Sequence, residues 1–226
     1  MNIAIIPARI GSQRLAKKNI KLFLGKPIIY HAISQAKKSN LFSKIIVSTD
    51  SVKIKKIAEK YGAEVPYLRP ENLSNNKIHF NHSIKHMIRW LEKKEIEVKN
   101  VCCIYPTSPL LRSIYLIKGY KLLKKKKNFI FSACKYRSPP QRSFYFKKKK
   151  LFLFDKKSYN KRSQDLVDAF HDAGQFYWGT KTNWLSNDEL FNRKSSIIEI
   201  PYLGFIDINY PADWKIAENL FKLKTK

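Results

Sequence analysis

Short apolar, β-branched runs alternate along the whole chain with stretches of helical periodicity. The runs fall at 2–7, 44–49, 100–105, 128–134, 175–179 and 196–200, each the length of a buried strand. Between them apolar positions recur every three or four residues, which predicts helices around 28–38, 51–61, 80–94 and 113–125. The third is the clearest, with Phe80, Ile84, Met87, Ile88 and Leu91 on one face. A last helix starts near Pro211, with Trp214, Ala217 and Phe221 spaced three and four apart. This alternation describes βαβ units, so the expected fold class is α/β with a mostly parallel sheet and flanking helices.

The rhythm breaks between 138 and 170. That stretch holds a Pro-Pro step, two aromatic segments of hairpin character (144–146 and 151–154) and the polar run 160–165. About 30 residues cannot build a core of their own, so it reads as an insertion in a single domain spanning 1–226. No internal repeat is present.

Composition narrows the class. The chain has 226 residues, 44% of them hydrophobic, which supports a sizeable core and excludes a disordered chain. No apolar run approaches the ~20 residues of a membrane span. The start, Met1 to Pro7, lacks the basic flank and length of a secretion signal, so a cytoplasmic location and no membrane partner are expected. Cys102, Cys103 and Cys134 lie in apolar runs without ligand spacing and are expected to be buried, quiet thiols. The net charge of +28 rests on 45 basic residues, only 9 of them arginine. The lysine runs 124–127 and 147–150 lack aromatic interleaving and any nucleic-acid module, so no specific nucleic-acid partner is expected.

Chemistry concentrates first in the loop after strand one, Pro7 to Asn19. Arg9, Arg14, Lys17 and Lys18 stand there, with Gly11 permitting close backbone approach. Loops at the carboxyl ends of parallel strands are where open α/β sheets bind ligands, and such cations suit a polyphosphate. A basic surface loop in a lysine-rich chain fits the spacing equally well. The loop is neither a Walker A nor a GxGxxG loop. At 105–112, Pro106 and Pro109 fix a turn while Thr107 and Ser108 offer hydroxyls; a plain strand-to-helix turn with Ser108 near a helix N-cap is the other reading.

The opening loop resembles the ARGGSKR…KN loop of the CMP-sialic acid synthetase (acylneuraminate cytidylyltransferase) family. The likeness continues in order. Val47-Ser48-Thr49-Asp50 is similar to the family's VSTD, Leu68 to Leu73 to its LRPxEL, Tyr105 to Arg112 to its xxPTSPLR, and Asp207 to Trp214 to its DIDTPEDW. Arg162 to Leu166 and Phe170 to Gly179 resemble the branch that activates pseudaminic acid.

The resemblance implies a Rossmann-like nucleotidyltransferase fold that joins CTP to a nine-carbon acidic (nonulosonic) sugar and releases pyrophosphate, in the biosynthesis of surface glycans. Sialic, legionaminic or 3-deoxy-octulosonic acid as the sugar, or a non-catalytic nucleotide-binding homologue, are the alternatives. Arg9, Lys18 and Asp207 would be catalytic. Arg9, Gly11, Ser12, Lys18, Asn19, Arg69, Ser83, Pro106, Thr107 and Ser108 would hold the nucleotide. Tyr105, Gln141, Arg142, Arg162, Gln164, Asp165, His171, Asp172 and Gln175 would meet the sugar; arginine suits its carboxylate, although an interface ion pair is an alternative for the insertion's arginines, as a structural role is for His171-Asp172. Asp207 and Asn209 would hold Mg²⁺, and the insertion would pack across a homodimer.

Four positions depart from the family's pattern. Ile10 replaces a glycine, Gln13 a lysine, Asn209 the second metal-associated aspartate, and Tyr210 a threonine that would cap the last helix.

Overall fold

In strand β1 (Asn2–Pro7), Ile3 and Ile5 face one side and Ala4 and Ile6 the other, and all four are fully buried. A strand buried on both faces needs helices on both, and the rest of the chain supplies them. The computed structural model describes residues 1–12, 14–74, 79–186 and 189–225. After β1 come the short pair β2 (Leu22–Phe23) and β3 (Lys26–Pro27), then α1 (Ile28–Lys38), β4 (Lys44–Ser48), α2 (Val52–Lys60) and α3 (Phe80–Lys93). β5 (Asn100–Ile104), α4 (Ser113–Lys126), β6 (Ile130–Lys135), β7 (Phe144–Lys147) and β8 (Lys150–Leu153) follow. β9 (Phe170–Thr180), α5 (Lys181–Leu185), β10 (Ser196–Glu199) and α6 (Pro211–Thr225) complete the order. The elements read from periodicity are all present, within a residue or two at most ends.

The sheet runs β10-β6-β9-β5-β1-β4. β1 pairs in parallel with β4 and β5, and β10 with β6; β9 lies antiparallel between β5 and β6. β9 is longer than the apolar run 175–179 suggests. Its first residues, Phe170 to Asp172, pair with β6 alone, and His171 and Asp172 break the apolar pattern there. The insertion forms the expected hairpin, β7 against β8, and Lys148 and Lys149 turn it with positive φ.

One face of the sheet packs on α1, α2 and α4 through Ile29, Ile33, Ile54, Leu116, Leu123 and Trp178. The other packs on α3 and α5 through Ile84, Met87, Ile88, Leu91 and Trp184. α4 lies so close that a Cβ on Gly119 would fall 2.8 Å from Trp178, so only glycine permits the approach. Cys102 and Cys103 point into opposite cores, and burial pushes both thiols well up from their usual range. Cys134 is buried too, and no disulfide links the three. No helix among the described residues is long and apolar enough to cross a membrane.

Because β1, β4, β5, β6 and β10 all point the same way, their carboxyl ends form one edge. β1 continues to β4 on one side and then to β5 on the other, which places a switch point at that edge, where open α/β sheets bind ligands.

Behind the edge, α6 packs on the β2–β3 pair through Phe23 and Trp214. His31 of α1 is buried there against the rings of Phe23, Tyr30 and Phe221, with no partner for its Nε2. Burial lowers its pKa below 6.5, opposed by a backbone hydrogen bond with Phe23. The neutral ring therefore contributes stability fully present above pH 6.5 and lost as pH falls through its folded value. Urea unfolding between pH 7.5 and 5 should show a steeper loss of stability in the wild type than in His31→Leu. Parallel slopes would remove His31 as a source of that loss.

Candidate active site

The loop after β1 is shaped by atoms the sequence places far away. Ala8 donates its N–H to the Ser48 carbonyl (2.9 Å), continuing the β1–β4 ladder past the strand end. The next anchor is Asp50, whose Oδ1 accepts the Ile10 N–H at 3.0 Å. Asn19 is buried and donates Nδ2 to the Arg9 carbonyl at 2.7 Å, drawing the two ends of the loop together. Asn19 thus braces the backbone from which Arg9 projects. A Cβ at position 10 raises no conformational difficulty, since the positive φ among this loop's described residues falls on Lys17 (51°). Gly11 is exposed, and a Cβ there would meet nothing within 4 Å. Ser12 is half-buried beside it, and Gln13 lies outside the described residues.

Lys18 reaches from this loop to the segment ahead of α6. Its Nζ donates to the Ile208 carbonyl at 2.6 Å. Burial lowers its pKa, Asp207 pulls it back up, and Arg14 and Arg9 press it down further. Asp213 also favours the ammonium, so Lys18 lies in the field of two arginines and two carboxylates. Asp207 in turn accepts from Asn209 Nδ2 at 2.6 Å. Asn209 does not cap α6; Asp213 does, its Oδ2 accepting the N–H groups of Asn209 (2.8 Å) and Tyr210 (2.7 Å). Tyr210 brings no acceptor of its own to the first N–H groups of α6; Asp213 fastens the chain just ahead of them instead.

A carboxylate and an amide oxygen are hard donors of the kind Mg²⁺ accepts, and that ion needs only one or two carboxylates beside phosphate oxygens. Asp207 and Asn209 fit that description as a partial donor set. No group of three or more His, Cys, Asp or Glu side chains among the described residues forms a complete protein cage.

Arg69 is buried next to the same loop. Its backbone N–H donates to Thr49, its NH1 to Ser83 Oγ at 2.8 Å and its Nε to Ser74 Oγ at 3.2 Å. Burial lowers its pKa, opposed by Asp50 and reinforced by Arg9. Ser83 therefore orients Arg69. Asp50 faces both the loop backbone and Arg69, a position that sequence reading missed; its place in the VSTD stretch was the available signal.

At the end of β5, Pro106 is buried, Thr107 half-buried, and Ser108 spends its hydroxyl on the Gly174 carbonyl (3.3 Å). Ser108 is no helix cap, since α4 begins at Ser113. Gly174 adopts φ +56°, which only glycine takes without strain, and its N–H donates to Asp172 Oδ1 at 2.8 Å. Asp172 Oδ2 accepts the Tyr177 hydroxyl at 2.5 Å. Tyr105 and Tyr177 pack together (5.3 Å between centroids), and burial raises both phenol pKa values far from the titrating range. Asp172 and Asp207 both add to the rise at Tyr105.

These groups line a cavity of about 350 Å³ walled by Phe80, Tyr105, Tyr177, Leu190 and Phe191, with Asp172 and Glu189 on its polar side. Sequence reading took Phe80 and Tyr177 as core and did not single out Phe191; an isolated exposed aromatic was the only signal. His171 turns its ring to Tyr136 and Phe205, outside this lining. Gln175 is 2% exposed, with its Nε2 on the Gly204 carbonyl at 2.8 Å, so the expected contact with a sugar is corrected to an internal one. The insertion's polar residues bond within it: Gln141 to the Val167 carbonyl, Arg142 to Ser163, and Arg162 to Asp165 through two bonds at 2.8 and 3.1 Å. Gln164 is exposed beside them.

Comparison with known proteins gives this geometry a family. The chain is 39% identical over 224 residues to a pseudaminic acid cytidylyltransferase of Campylobacter jejuni, covering 98% of this chain and 97% of that one. It is 30% identical to an N-acylneuraminate cytidylyltransferase of Escherichia coli, over 99% of this chain and 53% of the other. The fold is shared with a CMP:2-keto-3-deoxy-manno-octonic acid synthetase solved with CTP, at a TM-score of 0.73 and 13% identity over 99% of both chains. The cytidylyltransferase profile matches residues 3–205, and the chain belongs to the cytidylyltransferase family.

Proposed function

We propose that the protein transfers the cytidylyl group of CTP to pseudaminic acid, releasing pyrophosphate. The observation that carries this reading is Lys18, bonded to the Ile208 carbonyl next to Asp207 and in the field of Arg9 and Arg14. Similarity over nearly the full chain to a pseudaminic acid cytidylyltransferase supports the choice of sugar. Arg9, Ser12 and Lys18 take the triphosphate, Asn19 braces the loop under it, and Arg69 with Ser83 and Thr107 border the nucleoside. The cavity beside Tyr105 takes the sugar, its aromatic walls suiting acyl substituents and Asp172 suiting their N–H donors.

The anomeric hydroxyl attacks the α-phosphorus in line with departing pyrophosphate. Charge accumulates on phosphate oxygens, so fixed cations and orientation supply most of the acceleration. A Mg²⁺ ion held by Asp207 and Asn209 would add charge neutralisation at the triphosphate.

The insertion exposes Phe144, Phe146, Leu151, Phe152 and Phe154, with Phe146 66% and Phe154 70% exposed. A second copy of the chain covers this face, because so much aromatic surface on a free hairpin is an association site. The reaction runs in the cytoplasm, where CTP is available.

With CTP, Mg²⁺ and pseudaminic acid, the protein should release pyrophosphate; a folded, CTP-binding protein silent with every acidic sugar would remove the enzyme reading. Arg9→Ala and Lys18→Ala should each weaken CTP binding by roughly 10- to 100-fold in calorimetry at moderate salt. Lys125→Ala, on the exposed end of α4, should not, and equal losses for all three would mean general polyanion attraction.

Asn209→Asp places two carboxylates where an amide now donates to Asp207, an arrangement that asks for a cation between them. The Mg²⁺ concentration for half-maximal rate should fall, and an unchanged midpoint would take Asn209 out of the metal site. Light scattering at tens of micromolar should give the mass of a dimer; a strictly monomeric mass would contradict the role given to 138–170.

A further inference from the structure

One buried amide joins the two halves of the site without facing either substrate. Gln175 sits in β9 with its backbone fully engaged. Its N–H donates to Ser132 Oγ at 3.1 Å, and its carbonyl accepts the N–H of Tyr105 at 2.9 Å. Its side chain crosses to Gly204, Nε2 donating to that carbonyl at 2.8 Å, while Oε1 is buried without a partner. An unmet buried acceptor is destabilising, and leucine or methionine has nearly the same volume without that penalty. Either would also leave the buried Gly204 carbonyl without its donor, so stability by itself does not decide for the amide. What only the amide supplies is a donor to Gly204.

Gly204 closes the tight turn Tyr202–Gly204, donating to the Pro201 carbonyl at 2.6 Å. A Cβ on it would stand 2.9 Å from Ile200 Cγ2, so the turn is pressed onto the chain that leaves β10. Four residues later Lys18 holds the Ile208 carbonyl. The segment 204–208 is thus hung between a side chain of β9 and a side chain of the phosphate loop, with Asp207 in the span. Tyr105, a wall of the cavity, is attached by its backbone to the same Gln175.

We propose that Gln175 is a positioning residue that fixes the Asp207 segment relative to Lys18 and Tyr105. The proposal rests on the reading that Asp207 serves cytidylyl transfer. Gln175 touches neither substrate; it acts through Gly204 on one side and Tyr105 on the other.

Gln175→Leu and Gln175→Glu test it. In Gln175→Leu the unmet amide oxygen is gone but the buried Gly204 carbonyl loses its donor, so the two effects oppose and the thermal midpoint should move little. Backbone amide exchange across 204–209 should quicken by roughly fivefold or more, the weight of one hydrogen bond, while β1 and β5 stay protected. The kcat for pyrophosphate release should fall about 10- to 100-fold with KM for CTP within about twofold, the mark of misplacement rather than lost binding.

Gln175→Glu adds a reversible control within one protein. As a carboxylate it cannot donate to Gly204, and as a buried neutral acid it can. Exchange protection of 204–209 and kcat should therefore both recover in this variant as pH is lowered, a profile the wild type lacks.

Unchanged exchange at 204–209 in Gln175→Leu would overturn the proposal, as would faster exchange with kcat intact. If the leucine variant fails to fold, a flat pH profile of exchange in Gln175→Glu overturns it equally. Exchange is read without substrate, so a wild type that turns over no acidic sugar would sink the transfer reading separately.

Discussion

A loop that gathers Arg9, Arg14 and Lys18 repels itself, and the rest of the site is arranged around that repulsion. At Lys18 burial does most to lower the pKa, Arg14 and Arg9 add to it, and Asp207 and Asp213 work for the ammonium. Asp50 takes a backbone N–H of the same loop and offsets the field at Arg69. Backbone carbonyls complete the fastening. That of Arg9 accepts from Asn19 and that of Ile208 from Lys18, two short contacts that bring in no further cation. The loop is thus held open to an anion yet fixed in its absence, which is the arrangement that lets charge be stabilised without reorganisation. Three acids and one amide, spread over the chain from Asn19 to Asp213, hold together a group of cations that a lysine-rich surface by itself would not.

Much of this was legible along the sequence. α1 and α3 could be read almost to the residue, because their apolar faces are unbroken. The strands that are buried on both sides announced themselves as continuous apolar runs. β9 was cut short because its opening residues pair on one side only and carry His171 and Asp172 outward. Arg9, Lys18 and Asp207 could be located by their motifs and do share one field.

The parts that could not be read share a cause. Asp50 and Asp213 act through backbone N–H groups, so although both stand in recognisable motifs, no spacing of side chains shows what they hold. Tyr177 alternates correctly for a core strand, so its hydroxyl on Asp172 is invisible until the strand is placed beside Tyr105. Gln175 misled in the opposite sense. A polar residue in an apolar strand suggests a ligand contact, whereas its partner is a carbonyl in a turn far along the chain. Arg142 and Arg162 stand in the insertion as expected, but Arg162 already has a carboxylate in its fork, supplied by Asp165.

The reversed direction of β9 has one more effect. Since it runs opposite to β6, the chain that leaves β6 at Lys135 returns at Phe170, its immediate partner across the ladder. Everything between is an excursion whose two ends are clamped side by side at the ligand edge. Loop closure of this kind depends only weakly on length, so the excursion can be lengthened, shortened or exchanged while the six-stranded sheet keeps its register. A change in β1 reaches both cores at once, whereas the excursion joins the sheet at the Lys135–Phe170 pair, so that its length and sequence vary as a separate quantity.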